Sequence, residues 1–192
     1  MNARRSRRRG GQALVEFALV IPVFLLIVLG IAEFGFAFAH HITMEYATRE
    51  GARMGAGLAN GSASFHCKDV DDQVVAAVQR VLTASGSQLD VDQVGEIRIY
   101  KADANGQETG LANIWKPGKG PKVDGVNLLF KLSSGNWDAC ARSNAGLGLT
   151  DSIGVSLAYD YRYVTPLGSL TGLIGTPVLS MADKTVMALN PD

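Results

Sequence analysis

The feature that most constrains this chain is an apolar run near its N-terminus. Phe17 to Ala39 makes up 23 residues, and Glu33 is the single charge among them. A helix of about 20 such residues is long enough to cross the hydrocarbon core of a bilayer. A second carboxylate, Glu16, stands at the entrance of the run. Because a carboxylate beside lipid is costly unless it meets a positive partner, Glu16 is a candidate functional residue.

Basic residues before the run predict its orientation. Such residues stay on the cytoplasmic side of a membrane helix, so the N-terminus is predicted inside and the chain from about His40 onward outside. Lysines and arginines together equal the acids at 18 each, which argues against nucleic acid as a partner. Without residues 1–11 the chain keeps 13 basic and 18 acidic residues, a formal net charge of −5. The leader arginines are Arg4, Arg5, Arg7, Arg8 and Arg9.

Two helices are predicted in the first half of the chain. The helical pattern of the apolar run continues to about Leu58, where glycines accumulate. A second, amphipathic helix is predicted over residues 69–85. Its first turn holds Asp69, Asp71 and Asp72, which we interpret as a capped helix start.

Alternating apolar residues predict strands in the second half. The pair Asn105-Gly106 is typical of a tight turn between strands. Because helices come first and strands later, we expect an α+β fold in which the second helix packs on an antiparallel sheet. The predicted strands cover residues 96–101, 126–132, 153–163 and 179–189.

Three further stretches are predicted outside regular structure. Residues 102–125 and 133–151 are rich in Gly, Asn, Ser, Lys and Pro, and are predicted as long surface loops with Trp115 and Trp137 as isolated anchors. Between the last two strands, Leu167 to Gly175 is apolar enough to be a buried connection or a contact surface.

The cysteines and histidines suggest structure rather than catalysis. Outside the cytoplasm, a disulfide between Cys67 and Cys140 is favoured over two free thiols. The histidines are His40, His41 and His66, and no Ser-His-Asp arrangement accompanies them, so an enzyme is not expected. Adjacent helical residues point about 100° apart, so a polar pair at the membrane boundary is favoured over a metal site. No cofactor is predicted.

The N-terminus has three interpretations. A secretory signal would be cut after Ala37-Phe38-Ala39, although the apolar run is longer than a usual signal core. A plain membrane anchor explains length and orientation but not Gly11 and Glu16 together. In the third interpretation, Gly11 is a processing point.

The third interpretation rests on a specific resemblance. RGG-QALVEF-ALVIP resembles the prepilin signature, in which a membrane peptidase cuts after a glycine and the fifth mature residue is glutamate. Here the cut between Gly11 and Gln12 makes Glu16 that fifth residue. The following EFALVIPVFLLIVLGIAEFG and ATREGAR, with the C-terminal DSIGVSLAYDYRYVTPL, resemble the TadE-like minor pilins, or pseudopilins, of the tight-adherence (Tad/Flp) pilus system.

The resemblance covers roughly residues 8–57 and 151–192 and implies a domain plan. Residues 1–11 are a basic prepilin leader and 12–60 a long pilin-like helix, of which about 17–39 spans the membrane. Residues 61–192 form an extracytoplasmic α+β domain.

The resemblance also implies partners and a location. The partners are a prepilin peptidase, a second TadE/TadF-like minor pilin, the Flp-type major pilin, its inner-membrane assembly platform and membrane lipid. The protein is then a single-pass protein of the cytoplasmic membrane, with its N-terminus inside and its C-terminal domain outside. Incorporation into an extracellular pilus is a second location that the resemblance allows. In that role the carboxylate of Glu16 pairs with the new amine of Gln12 on a neighbouring subunit and sets helix register. The alternative is a signal-anchored extracytoplasmic ligand-binding domain without a pilus role.

Overall fold

A computed structural model describes residues 9–61, 65–87, 89–145, 150–169 and 178–190. The chain divides into two compact units. One unit comprises Met1–Phe38 and Arg162–Leu179, and the other comprises Ala39–Tyr161 and Ser180–Asp192.

The described elements form an α+β arrangement, as predicted. In chain order the elements are α1 (Arg9–Leu58), α2 (Val70–Leu82), β1 (Val94–Ala102), β2 (Glu108–Pro117), β3 (Lys122–Val123), β4 (Val126–Asn127), β5 (Phe130–Gly135), β6 (Ser152–Arg162) and β7 (Val178–Ala188). Five strands make one sheet in the order β5-β2-β1-β6-β7, and β3 pairs with β4 as a separate hairpin. The β1–β2, β1–β6 and β2–β5 pairs are antiparallel.

The long helix α1 ends where its sequence predicts. Ala59, directly after the helix, has φ of 48°, and its N–H donates to the carbonyl of Gly55 at 2.9 Å. Gly61 also has a left-handed backbone, with φ of 94°. A left-handed residue just beyond the last turn satisfies a free carbonyl and stops the helix.

The last turns of α1 pack closely because their residues are small. A Cβ atom on Gly51 would lie 2.6 Å from Val78 Cγ2 in α2 and 3.2 Å from Val155 Cγ1 in β6. A Cβ on Gly55 would lie 2.5 Å from Ile153 Cδ1. Glycine therefore lets the backbone of α1 approach both α2 and the sheet at one place.

In strand β6 every second residue is large and buried on one face of the sheet, as predicted. Its odd-numbered residues are buried, and Asp160 and Arg162 on the other face are exposed. The opposite face has a smaller cluster, in which Tyr100 lies over Gly154. The buried set is Ile153, Val155, Leu157, Tyr159 and Tyr161.

The prediction of a surface loop over residues 102–125 is wrong. Residues 108–117 form the ten-residue strand β2, in which Trp115 is buried. The alternation was hidden because Ala112 and Asn113 are adjacent and both buried. The turn before β2 is the predicted hairpin: Gly106 has φ of 73°, and Asp103 Oδ1 accepts the N–H of Asn105 at 2.8 Å.

Two other boundaries differ from the sequence prediction. The single strand predicted over 126–132 is divided into β4 and β5, and β5 extends to Gly135, into the second predicted loop. In that loop Trp137, predicted as an isolated anchor, is buried. Of the apolar stretch Leu167 to Gly175, residues 170–175 lie outside the described part of the chain.

Candidate site for assembly and membrane anchoring

The first turns of α1 contain the residues predicted for processing and assembly. Gly11 and Gln12 lie inside the helix, which begins at Arg9. Gln12 Nε2 donates to Glu16 Oε1 at 2.9 Å, one turn further along, and both side chains are exposed. The first turn of a helix lacks intrahelical acceptors for its N–H groups and frays easily. The other leader arginines, Arg4, Arg5, Arg7 and Arg8, lie outside the described residues.

The following turns of α1 present large apolar side chains that are exposed in the described part of the chain. The helix is long and apolar enough to cross a membrane, and none of its most apolar 18-residue window is buried. A large continuous patch of exposed apolar side chains marks a surface that contacts a membrane or another protein. Fourteen large side chains are 43 to 73% exposed: Leu14, Val15, Phe17, Leu19, Val20, Val23, Phe24, Leu25, Leu26, Ile27, Val28, Ile31, Phe34 and Phe38.

Glu33 is the one charge inside the apolar run, and it is buried. Its Oε1 accepts the N–H of Val164 at 2.9 Å, and its Oε2 accepts the N–H of Thr165 at 2.8 Å. Hydrogen bonds to a carboxylate are worth about 1.5–3 kcal/mol each. The sequence alone indicates no role for Glu33, because its partners are backbone groups more than 130 residues away.

The histidine pair at the end of the apolar run does not form a polar boundary. His40 is buried, and its ring meets Tyr159 and Tyr161 edge-on, with centroid distances of 5.7 and 5.1 Å. His41 is half-buried on another side of the helix. In the described part of the chain, no cluster of three His, Cys, Asp or Glu residues could hold a metal ion.

A disulfide joins Cys67 to Cys140. Cys67 opens a short 3₁₀ turn before α2, and Cys140 lies in another such turn after β5. The bond links residues 73 positions apart, so it restricts the unfolded chain over a long loop.

The acids at the start of α2 do not form the predicted helix cap. Asp69 makes no side-chain cap bond. Asp71 is buried instead: its Oδ1 accepts from Arg142 Nη2 at 2.6 Å, and its Oδ2 accepts from Asn113 Nδ2 at 2.6 Å. The Arg142 guanidinium lies 4.1 Å from the ring centre of Trp137. Sequence gave no signal for this pair because its members are 71 residues apart.

Asp72 lies beside this buried ion pair. Burial raises the pKa of Asp72, and the negative charges of Asp69 and Asp71 raise that pKa further. Desolvation and like charges both disfavour the ionised form of a carboxyl group.

A cleft opens next to the same residues. Its volume is about 670 Å³, and its lining includes Asp72, Lys68, Trp115 and Trp137. Clefts that bind small molecules span about 300–1,000 Å³ and combine aromatic walls with a few polar groups.

The comparison with protein families concerns the long helix. Residues 11–53 match the family model described as TadE-like protein. The N-terminal helix of this chain is TadE-like. The match runs from the glycine predicted at the cut to the glycine-rich turns that pack on α2 and β6. No curated protein and no solved structure matches the chain.

The TadE-like family belongs to Tad pilus systems, and its match to this chain is confined to residues 11–53. TadE-like proteins are structural proteins of the pilus and not an enzyme family. In the described part of the chain, one long apolar helix fits a single-pass membrane anchor followed by a C-terminal domain.

Proposed function

We propose that this chain is a minor pilin-like subunit that takes part in assembling a Tad/Flp-type pilus. Residues 17–39 hold the precursor in the cytoplasmic membrane, with the leader inside and residues 61–192 outside. A prepilin peptidase removes residues 1–11. The observation that carries the proposal is a TadE-like helix whose large apolar side chains are uncovered within the chain.

The exposed apolar half of α1 is suited to two environments, first the lipid of the membrane and then the interior of the pilus. In the precursor, lipid covers the apolar side chains, and the leader arginines keep the N-terminus at the cytoplasmic face. In an assembled pilus, the same side chains pack against helices of neighbouring subunits. The second TadE/TadF-like minor pilin and the Flp-type major pilin are the proposed neighbours, and an inner-membrane platform inserts the subunit.

Glu16 is the proposed register residue. Among the described residues, its carboxylate accepts a hydrogen bond from a neutral amide, that of Gln12. Cleavage after Gly11 turns the backbone nitrogen of Gln12 into a cation, and charge-assisted hydrogen bonds are roughly twice as strong as neutral ones. The amine of a neighbouring subunit therefore displaces the Gln12 amide. Since removing either partner leaves an unpaired charge beside lipid, one offset between helices is favoured.

Substitution of Glu16 tests this role. We expect Glu16→Ala to be cut normally but to give no assembled pilus, because the register pair is lost while the glycine at the cut is kept. Processing is read from the shift in mass of the subunit, and assembly from pilus material sheared off the cells.

Glu45→Ala is the matched control on the same helix. Glu45 forms an exposed ion pair with Arg49 beyond the apolar run, so this variant is expected to assemble. Normal pilus formation by Glu16→Ala would refute the register role.

A second candidate function is a membrane-anchored ligand-binding domain, which the cleft beside Trp115 and Trp137 supports. This function needs neither cleavage after Gly11 nor a role for Glu16. An uncut chain, with pili unaffected by Glu16→Ala, would favour it over the pilin role.

A further inference from the structure

We propose that the segment Tyr163–Ser169, directly after β6, contacts the outer leaflet of the membrane beside α1. This is a second lipid contact, in addition to the spanning helix. The inference rests on the proposed function, because it takes residues 17–39 as the spanning part of α1.

Glu33 fixes the depth of this segment. Glu33 is 16 residues beyond Phe17, or about 24 Å along the helix at 1.5 Å per residue. With a hydrocarbon core about 30 Å thick and Phe17 at its inner boundary, Glu33 lies about 6 Å inside the outer boundary, in the outer leaflet. The backbone nitrogens of Val164 and Thr165 lie 2.9 and 2.8 Å from its two carboxylate oxygens. The segment therefore sits at the same depth.

The hydrogen bonds explain how a charge is tolerated at that depth. A carboxylate near lipid is costly, and acidic residues there face protein groups or a polar cavity. Glu33 is 6% exposed, and each of its oxygens accepts a backbone N–H from the segment. The same bonds satisfy two backbone donors, which cannot remain unpaired in an apolar phase. The segment therefore provides hydrogen-bond donors for the carboxylate of Glu33, and Glu33 provides acceptors for the backbone N–H groups of the segment, so both can lie near lipid.

The surface of the segment is suited to lipid. Val164 is 63% exposed, and Phe34, next to Glu33 on α1, is 73% exposed. No charged residue occurs in the sequence from 163 to 182. Tyr163 is of the residue type that is enriched at membrane–water interfaces. An uncharged surface that exposes Val164 beside the exposed apolar face of α1 is best matched by the lipid that covers that face.

Spin labels in the membrane-bound full chain test the inference. Both native cysteines are joined in the disulfide, so one added cysteine provides a single labelling position. The test position is Val164→Cys. Phe24→Cys reports the spanning helix, and Val126→Cys, 59% exposed on β4, reports the exterior domain. For each label in phospholipid vesicles, collisions with dissolved oxygen, which concentrates in lipid, are compared with collisions with a water-soluble nickel chelate.

We expect the oxygen-to-nickel collision ratio at position 164 to be several-fold higher than at 126 and to approach that at 24. A ratio at 164 equal to that at 126, with a lipid value at 24, would overturn the inference and leave the anchor intact. Shielding of position 164 from both reagents would also overturn it, because protein then covers the segment. A water-like value at 24 would contradict the proposed anchor itself.

Discussion

The two halves of α1 show how one helix can have partners of different kinds. Between Ala39 and Leu58 the helix uses small residues for its contacts within the chain, with Ala47 and Ala52 fully covered and Gly51 against α2 and β6. From Leu14 to Phe38 its large apolar residues are exposed. The small residues make close contacts within the chain, whereas the large ones are exposed among the described residues, and we propose that lipid or other subunits cover them.

This difference shows where substitutions should act. Changes in the second half should alter the stability of the isolated protein, because its contacts are internal. Changes in the first half should leave that stability unchanged and alter membrane contact or assembly.

The largest effect on stability is expected at Gly51. Gly51→Ala places a Cβ 2.6 Å from a methyl of the fully buried Val78. Overpacking of this kind costs about 1–3 kcal/mol. Thermal unfolding of the full chain in detergent, followed by near-ultraviolet circular dichroism, measures the change.

Gly57→Ala is the control for Gly51→Ala. A Cβ on Gly57 meets nothing within 4 Å, and the position is exposed on the same helix. Alanine is favoured over glycine inside a helix by about 0.5–1 kcal/mol, so this variant should unfold at an equal or higher temperature. Equal loss of stability in both variants would contradict the internal packing of this half.

A local effect is expected at Glu33. Glu33→Gln leaves one acceptor oxygen, so one backbone N–H of the Val164–Thr165 pair loses its acceptor. The loss of about 1.5–3 kcal/mol corresponds to amide hydrogen exchange faster by about 10- to 100-fold at these positions. The unfolding temperature of the unit formed by Ala39–Tyr161 and Ser180–Asp192 should not change. Unchanged exchange relative to Glu45→Gln would show that the carboxylate does not hold the segment.

The smallest effect is expected from Asp72. Because the pKa of Asp72 is raised in the folded protein, ionisation costs stability as pH rises above the ordinary value of 3.8. Asp72→Asn should therefore be more stable than the native chain at pH 7, and the two should converge below pH 3.8. A stability difference that is the same at pH 3 and pH 7 would exclude this electrostatic origin.

Sequence periodicity predicted the elements whose burial follows one simple pattern. The long helix, α2, β1 and the alternating β6 belong to this group. Strand β2 was missed because Asn113 occupies a buried position, where its Nδ2 donates to Asp71 Oδ2 and its Oδ1 accepts the N–H of Trp137. A polar residue is stable there only through partners that the fold brings from distant positions.

The residues of the candidate site also fall into those that a local sequence pattern predicts and those that depend on distant partners. Gly11, Gln12 and Glu16 form a local pattern within one and a half turns, so sequence alone names them. Glu33 depends on the segment after β6, and Asp71 depends on Arg142, so their contacts become apparent only in the folded chain. The charged residues that sequence misjudged are those whose partners are far away along the chain.

The mass of the mature N-terminal peptide tests the account most directly. The account predicts that protein from membranes or pili begins at Gln12, with residues 1–11 removed. A chain that begins at His40 would identify the apolar run as a secretory signal and contradict the pilin role. A chain with Met1 intact would likewise contradict processing and leave a membrane anchor.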